Sequence, residues 1–256
     1  MPIGPMRRTR ALTAMVLGLA LQAGNMAGSA FKVTPVRVTF SGPSSTLLTL
    51  KNESEQPLRF QISSFAWLQD PKGVMQLNPT EDIVFFPALL SLNPGEERKV
   101  RVAATVAAKD VEKTYRIFFE ELPPLDKPQN SGAQVRILTK MGIPIFVSPT
   151  KANSEAIIDS VKLEKGTLAF EVRNSGNVHY ALEGVKLHGV GSKGESLFDR
   201  QLDGWYVLAG SPRTYSVEIP AASCSKLKKI VIAAQTDITG KSTITKEFEV
   251  SPALCR

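Results

Sequence analysis

From residue 31 onward, apolar and polar positions alternate with a period of two over most of the chain. Thr34-Val36-Val38-Phe40, Leu58-Phe60-Ile62, Val100-Val102-Ala104 and Tyr115-Ile117-Phe119 each place apolar side chains on one face and more polar neighbours on the other. Turn signals punctuate them at Ser41-Gly42-Pro43, Asp70-Pro71-Lys72-Gly73 and Asn93-Pro94-Gly95. Short alternating strands about ten residues apart predict an antiparallel sandwich or barrel, and no segment after residue 30 sustains a helical period.

A second series follows Pro149: residues 157–164, 167–174, 180–188, 214–219, 228–236 and 242–250. Between the series, Ser148 to Ser154 carries a proline and no apolar periodicity, which suits a junction. The chain therefore reads as all-β, with two immunoglobulin-like sandwiches expected over 31–149 and 150–256. The halves show no evident sequence repeat.

The first thirty residues differ. Arg7, Arg8 and Arg10 precede an apolar run from Ala11 to about Ala23, which ends in Gly28-Ser29-Ala30. A basic start, a short apolar stretch and small residues at the exit are the parts of a secretory signal peptide. The run is short for a membrane anchor, which is the competing reading. Export changes the meaning of the two cysteines. Cys224 and Cys255 would lie where disulfides persist, and a bridge closing about 30 residues is worth roughly 3–4 kcal/mol. Two independent thiols are the alternative.

Charge and composition narrow the function. The net charge of +7 includes the three early arginines, so the remainder carries +4, too mild to suggest nucleic acid as a partner. Two cysteines and two histidines, His179 and His188, leave little for a metal centre. Gly189-Val190-Gly191-Ser192-Lys193-Gly194 fits G-x-G-x-x-G, but its flanks read as strands, so a hairpin turn is expected and not a nucleotide site. No G-x-S-x-G elbow occurs. No enzyme, cofactor or metal is expected. Trp67 and Trp205 are read as apolar anchors, one in each half.

One segment is unusual. Residues 135–147 form a long strand candidate behind a polar loop at 126–132. Val135, Ile137, Met141, Ile143 and Ile145 share one face, with Thr139 the polar exception. Pro144 cannot donate to a ladder and favours a sheet edge. A long apolar edge is an aggregation hazard, and an incoming strand from a partner would explain it.

In order along the chain, these landmarks resemble those of the periplasmic pilus chaperones of chaperone–usher pathways. They are Val36-Arg37-Val38-Thr39-Phe40, Leu47 to Asn52, Ala66-Trp67, Leu92-Asn93-Pro94-Gly95-Glu96 and Val100-Arg101-Val102. Tyr115-Arg116-Ile117-Phe118-Phe119-Glu120-Glu121-Leu122-Pro123-Pro124 is the most specific, and Ile145-Phe146-Val147-Ser148-Pro149 closes the series. The resemblance implies two immunoglobulin-like domains in an L or boomerang, with a subunit-binding cleft between them. It also implies donor-strand complementation in the periplasm: the chaperone lends its edge strand to a pilus subunit that lacks one, then delivers it to an outer-membrane usher. Val135, Ile137, Thr139 and Met141 are then the donor-strand residues. Arg37 matches the basic residue that binds the subunit's C-terminal carboxylate. The family's second basic anchor falls at Pro144, with Lys140, on the same alternating face, as its substitute. The arginine that often precedes the interdomain proline is Ser148 here, which puts the usual interdomain ion pair in doubt. These departures resemble divergent chaperones of alternative pili. The expected partners are pilus subunits and the usher, with a second copy of the chain as a further way to cover the edge, and with no membrane insertion once the signal peptide is gone. The competing reading is a two-domain β-sandwich adhesin or periplasmic ligand-binding module.

Overall fold

A computed structural model describes residues 30–125 and 137–255. The expected signal peptide, the polar loop at 126–132 and Val135 lie outside those residues, Ala30 excepted.

The first ten strands are β1 (Phe31–Thr34), β2 (Val38–Phe40), β3 (Ser44–Asn52), β4 (Leu58–Gln69), β5 (Met75–Pro79), β6 (Ile83–Phe86), β7 (Leu89–Leu92), β8 (Glu97–Ala104), β9 (Lys113–Leu122) and β10 (Lys140–Val147). They form two sheets, β1-β3-β8-β6 and β2-β10-β9-β4-β5, the second with β7 added on β4. Their alternating inward residues meet in one core that includes Leu48, Leu50, Phe60, Val100, Val102, Ile117, Phe119, Ile143 and Ile145. At about 25 cal/mol per Å² of apolar surface buried, such a two-faced arrangement is the main source of stability.

The expected single strand through Thr34, Val36, Val38 and Phe40 is in fact two. Pro35 has no N–H to give a ladder. The chain leaves one sheet after Thr34, exposes Val36 (71%), and joins the other at Val38. β2 then runs parallel to β10, with Val38 opposite Ile145 and Phe40 opposite Val147.

The second series comprises β11 (Ala156–Glu164), β12 (Thr167–Asn174), β13 (Tyr180–Gly191), β14 (Ser196–Asp203), β15 (Tyr206–Val207) and β16 (Pro212–Glu218). A one-turn helix α1 (Ala221–Cys224), β17 (Leu227–Thr236) and β18 (Thr243–Glu249) follow. The sheets are β11-β12-β16 and β14-β13-β17-β18, with β15 on β13. Among the described residues no sheet joins strands of the two series. β14 and β15 escape the sequence pattern. Ser196–Asp203 does not alternate cleanly, because this edge strand buries no side chain fully. The glycine-rich run at 189–194 ends β13 and enters the β13–β14 turn, with Gly194 at φ +82°. Cys224, closing α1, is bridged to Cys255 in a final 3-10 turn (Pro252–Cys255), so the alternative of two free thiols is discarded.

Trp67 and Trp205 do not anchor separate cores. Their rings lie 5.5 Å apart, in a third cluster with Phe146, Tyr206 and Leu208 that joins the two halves.

Candidate functional site

The site is built on β10. It pairs antiparallel with β9 along its whole length, Lys140 opposite Glu120 and Val147 opposite Lys113. Glu121 N–H donates to the Thr139 carbonyl at 2.9 Å, so the odd residues of this strand exchange bonds with β9. The backbone groups of Lys140 and Gly142 therefore point to the other side. β2 covers that side only from Ile145 onward. Pro144 stands just before the covered part, where its missing N–H leaves no ladder bond broken. Among the described residues, the segment from Ile137 to Gly142 is thus an open sheet edge.

The odd side chains point inward. Met141 is half-buried and packs on the first core, and Ile143, Ile145 and Val147 lie within it. Ahead of β10, Ile137 is 69% exposed and Leu138 42%. Thr139 is half-buried, with its N–H donating to the Glu121 carboxylate. Of the expected donor residues, then, Ile137 is free toward solvent while Met141 is largely occupied by its own domain.

The even side chains face outward, and here the structure adds a residue that sequence reasoning left unassigned. Arg116 on β9 sits directly opposite Pro144. It is only 8% exposed, yet its Nε and Nη2 are buried without a hydrogen-bond partner among the described residues. Its Nη1 donates to the Gly142 carbonyl at 3.1 Å. The guanidinium lies 4.1 Å above the Trp67 ring and 5.3 and 5.8 Å from the Trp205 and Tyr206 rings. Burial pushes its pKa down from the ordinary arginine value, and the neighbouring Tyr206 opposes that shift. A guanidinium stays charged even so, because its ordinary value lies so far above neutrality. The result is a desolvated cation held by π faces, without a counter-ion among the described residues. The sequence signal was faint: an arginine between Thr114 and Phe118 on the outward face of a strand whose inward face is apolar.

Arg37 precedes β2 by one residue, next to Pro144 on the side away from Arg116. It is exposed and makes no ion pair or hydrogen bond among the described residues. Alternation from buried Val38 turns its side chain to the outward face. Arg37 and Arg116 thus flank Pro144 on one face, two strands and about 10 Å apart. Lys140 shares that face but lies four residues away, about 13 Å along the strand. It bonds Glu120 at 2.8 Å and sits 5.0 Å from the Phe118 ring. Phe118 can lie flat there because Gly142 opposite it has no side chain; a Cβ would come within 2.7 Å of the ring.

Where the arginine before Pro149 is missing, another pair spans the halves. Glu112 accepts from the backbone N–H of His179 at 2.9 Å and meets the imidazole Nδ1 at 2.7 Å. Phe146 stacks on that imidazole at 3.5 Å. Among the described residues no cluster of metal-binding side chains occurs, and no helix is long and apolar enough to cross a membrane.

Residues 30–153 match the family model of the pili and flagellar-assembly chaperones, PapD N-terminal domain. That segment is the N-terminal domain of a pilus chaperone. Solved structures extend the likeness over both halves of this chaperone. One is the CsuC–CsuE chaperone–tip adhesion subunit pre-assembly complex from archaic Csu pili of Acinetobacter baumannii. It matches with a TM-score of 0.59 and 19% identity over 86% of this chain and 98% of that one. The CupB2 chaperone of Pseudomonas aeruginosa gives 0.52 and 16%, covering 86% and 100%. The Salmonella enterica SafA pilin–SafB chaperone complex gives 0.51 and 15%, covering 87% and 97%. At these identities the structural likeness concerns the fold. No curated protein sequence matches the chaperone.

Proposed function

We propose that this pilus chaperone works in the periplasm by lending the open edge of β10 to a pilus subunit, and then hands the subunit to an outer-membrane usher. The observation that carries the reading is the edge itself. The backbone groups of Lys140 and the Gly142 N–H stand unladdered beside exposed Ile137 and Leu138, while the Gly142 carbonyl already accepts from Arg116. Unpaired strand edges invite strand addition, and an apolar groove lacking one strand is the complementary surface. A second copy of the chain meets the same edge when no subunit is present.

The end of the subunit chain is anchored at the Pro144 rung. A C-terminal carboxylate there lies between Arg37, exposed, and Arg116, buried and short of partners. Charge-assisted hydrogen bonds to a guanidinium are about twice as strong as neutral ones, more so away from water. Arg116 supplies, from the neighbouring strand, the second cation that Pro144 cannot. Lys140, 13 Å away by the ~3.3 Å rise of a strand and already paired with Glu120, guides the strand and does not hold its end.

Ile137→Asp, Leu138→Asp and Arg37→Ala, each measured for co-purified subunit, test the reading. We expect the Ile137 variant to fold and to lose its subunits, since a buried unpaired charge is prohibitively costly in the groove. Loss only for the Leu138 variant moves the register by one residue. Full retention by both removes strand donation. Arg37→Ala should fold normally and bind weakly; an unfolded product or normal binding removes its anchor role.

A further inference from the structure

Gln69, the last residue of β4, reaches across the junction. Its Nε2 donates to the Tyr206 carbonyl at 2.8 Å, and its Oε1 accepts from the Leu208 N–H at 2.9 Å. A parallel strand presents the same pair, binding the carbonyl before and the N–H after one residue of its neighbour. β15 uses its other side to pair with Tyr180 and Ala181 of β13. One side-chain amide therefore stands in for a missing strand on the free side of β15. The turn that follows is seated as well: Thr214 N–H donates to the Pro71 carbonyl at 2.9 Å, and Gly73 (φ +77°) lies so close to Arg213 that a Cβ would come within 2.7 Å of its guanidinium.

The segment fixed by Gln69 carries Trp205 and Tyr206. Those two rings form the second-half wall of the cage around Arg116; Trp67, two residues before Gln69, forms the first-half wall. Among the described residues no hydrogen bond from the second half reaches the guanidinium, so its orientation depends on where these rings stand.

We propose that Gln69 is a positioning residue for the carboxylate anchor: its amide locks the Trp205–Leu208 segment against Arg116, so the anchor is assembled only when the two halves are docked. The proposal rests on the reading of Arg116 given above. Donor and acceptor both matter. Glutamate has the same shape but sets an oxygen against the Tyr206 carbonyl, losing one bond and adding repulsion.

Two measurements on the full chain test it. Trp67 and Trp205 are the two tryptophans of the sequence and lie 5.5 Å apart, close enough for excitonic coupling in circular dichroism. Gln69→Glu should lose the couplet while melting as one folded protein; an unchanged couplet overturns the positioning role. The second measurement uses two N-acetylated octapeptides of alternating threonine and valine, one ending in a free carboxylate and the other in an amide. Wild type should prefer the free acid by about tenfold. In Gln69→Glu that preference should fall below about threefold, with affinity for the amide changed less than about twofold. Asn177→Ala, which breaks the junction's bonds to the Asp110 and Lys151 carbonyls, is the control and should keep the preference. Equal binding of acid and amide by wild type removes the carboxylate reading, and this proposal with it. A tenfold preference that survives in Gln69→Glu overturns the proposal alone, as does an equal loss in Asn177→Ala.

Discussion

Asn52 in the first half and Asn174 in the second each end a strand, are fully buried, and close a corner with the same side-chain amide. Asn52 Nδ2 donates to the carbonyls of Gln56, Leu92 and Asn93, and its Oδ1 accepts from Ser54. Asn174 Nδ2 donates to Val178 and Val207, and its Oδ1 accepts from Gly176. The halves thus turn their corners alike without sharing a visible repeat. They differ at their margins. The second half ties α1 to the chain's last turn with a disulfide. The first leaves the edge of β10 open and buries a cation beside it. The comparison teaches that the cores are two versions of one solution, whereas the surface proposed for a partner lies where the first half is left incomplete.

If that division is right, removing the disulfide should cost the most stability and the least function. Cys224→Ser with Cys255→Ser should lower unfolding stability by roughly 3–4 kcal/mol, by the loop-entropy estimate. Denaturant melts followed in the second half measure this, and subunit capture well below the transition should persist. Loss of capture in a still-folded variant would break the comparison.

Arg116→Leu should do the reverse. It removes an uncompensated buried charge, so the thermal midpoint should hold or rise. Subunit affinity should fall on the order of tenfold to a hundredfold. A destabilised variant with normal affinity would make Arg116 a structural residue and return the anchor to the exposed Arg37.

The shared corners give a finer test. Asn52→Ala and Asn174→Ala each strand several buried backbone groups and should each cost about 2 kcal/mol. Unequal costs in chemical denaturation would mean that the corners are alike only in outline.

The smallest effect is expected at Lys140. Its ion pair with Glu120 is about half exposed on both sides, so Lys140→Ala should change stability by less than about 1 kcal/mol. Subunit affinity should move by less than about twofold by calorimetry.

Much of this was legible in advance because period-two patterning reports burial directly. Phe60, Ile62, Val100, Val102, Ile117 and Phe119 alternate in the sequence and line the first core. Pro144 announced an edge through its missing N–H, and the two late cysteines, on the expectation of export, pointed to the bridge that joins them. Other features were hidden because they depend on contacts across the junction. Nothing local says that Trp67 and Trp205 meet, that Glu112 finds His179, or that the Gln69 amide pairs with β15. Arg116 stands within a recognisable motif, yet its significance lies in a buried Nε and Nη2 without partners among the described residues, which only packing reveals. β14 was missed because an edge strand with both faces half wet does not alternate, and β15 because two residues are too few to show a period.

The short parallel pairing of β2 with the end of β10 has one more consequence. It acts as a doorstop. A strand added to the open edge can zip along Lys140 and Gly142 but must halt at Pro144, where one hydrogen-bond donor is missing and β2 already occupies the next rungs. If the guest's carboxylate lies at that rung, the guest runs in the same direction as β10 and its last residue defines the register. Subunits of different length or sequence would then be measured from one fixed end, so that the chaperone gauges where a chain stops and leaves the rest of its sequence free to vary.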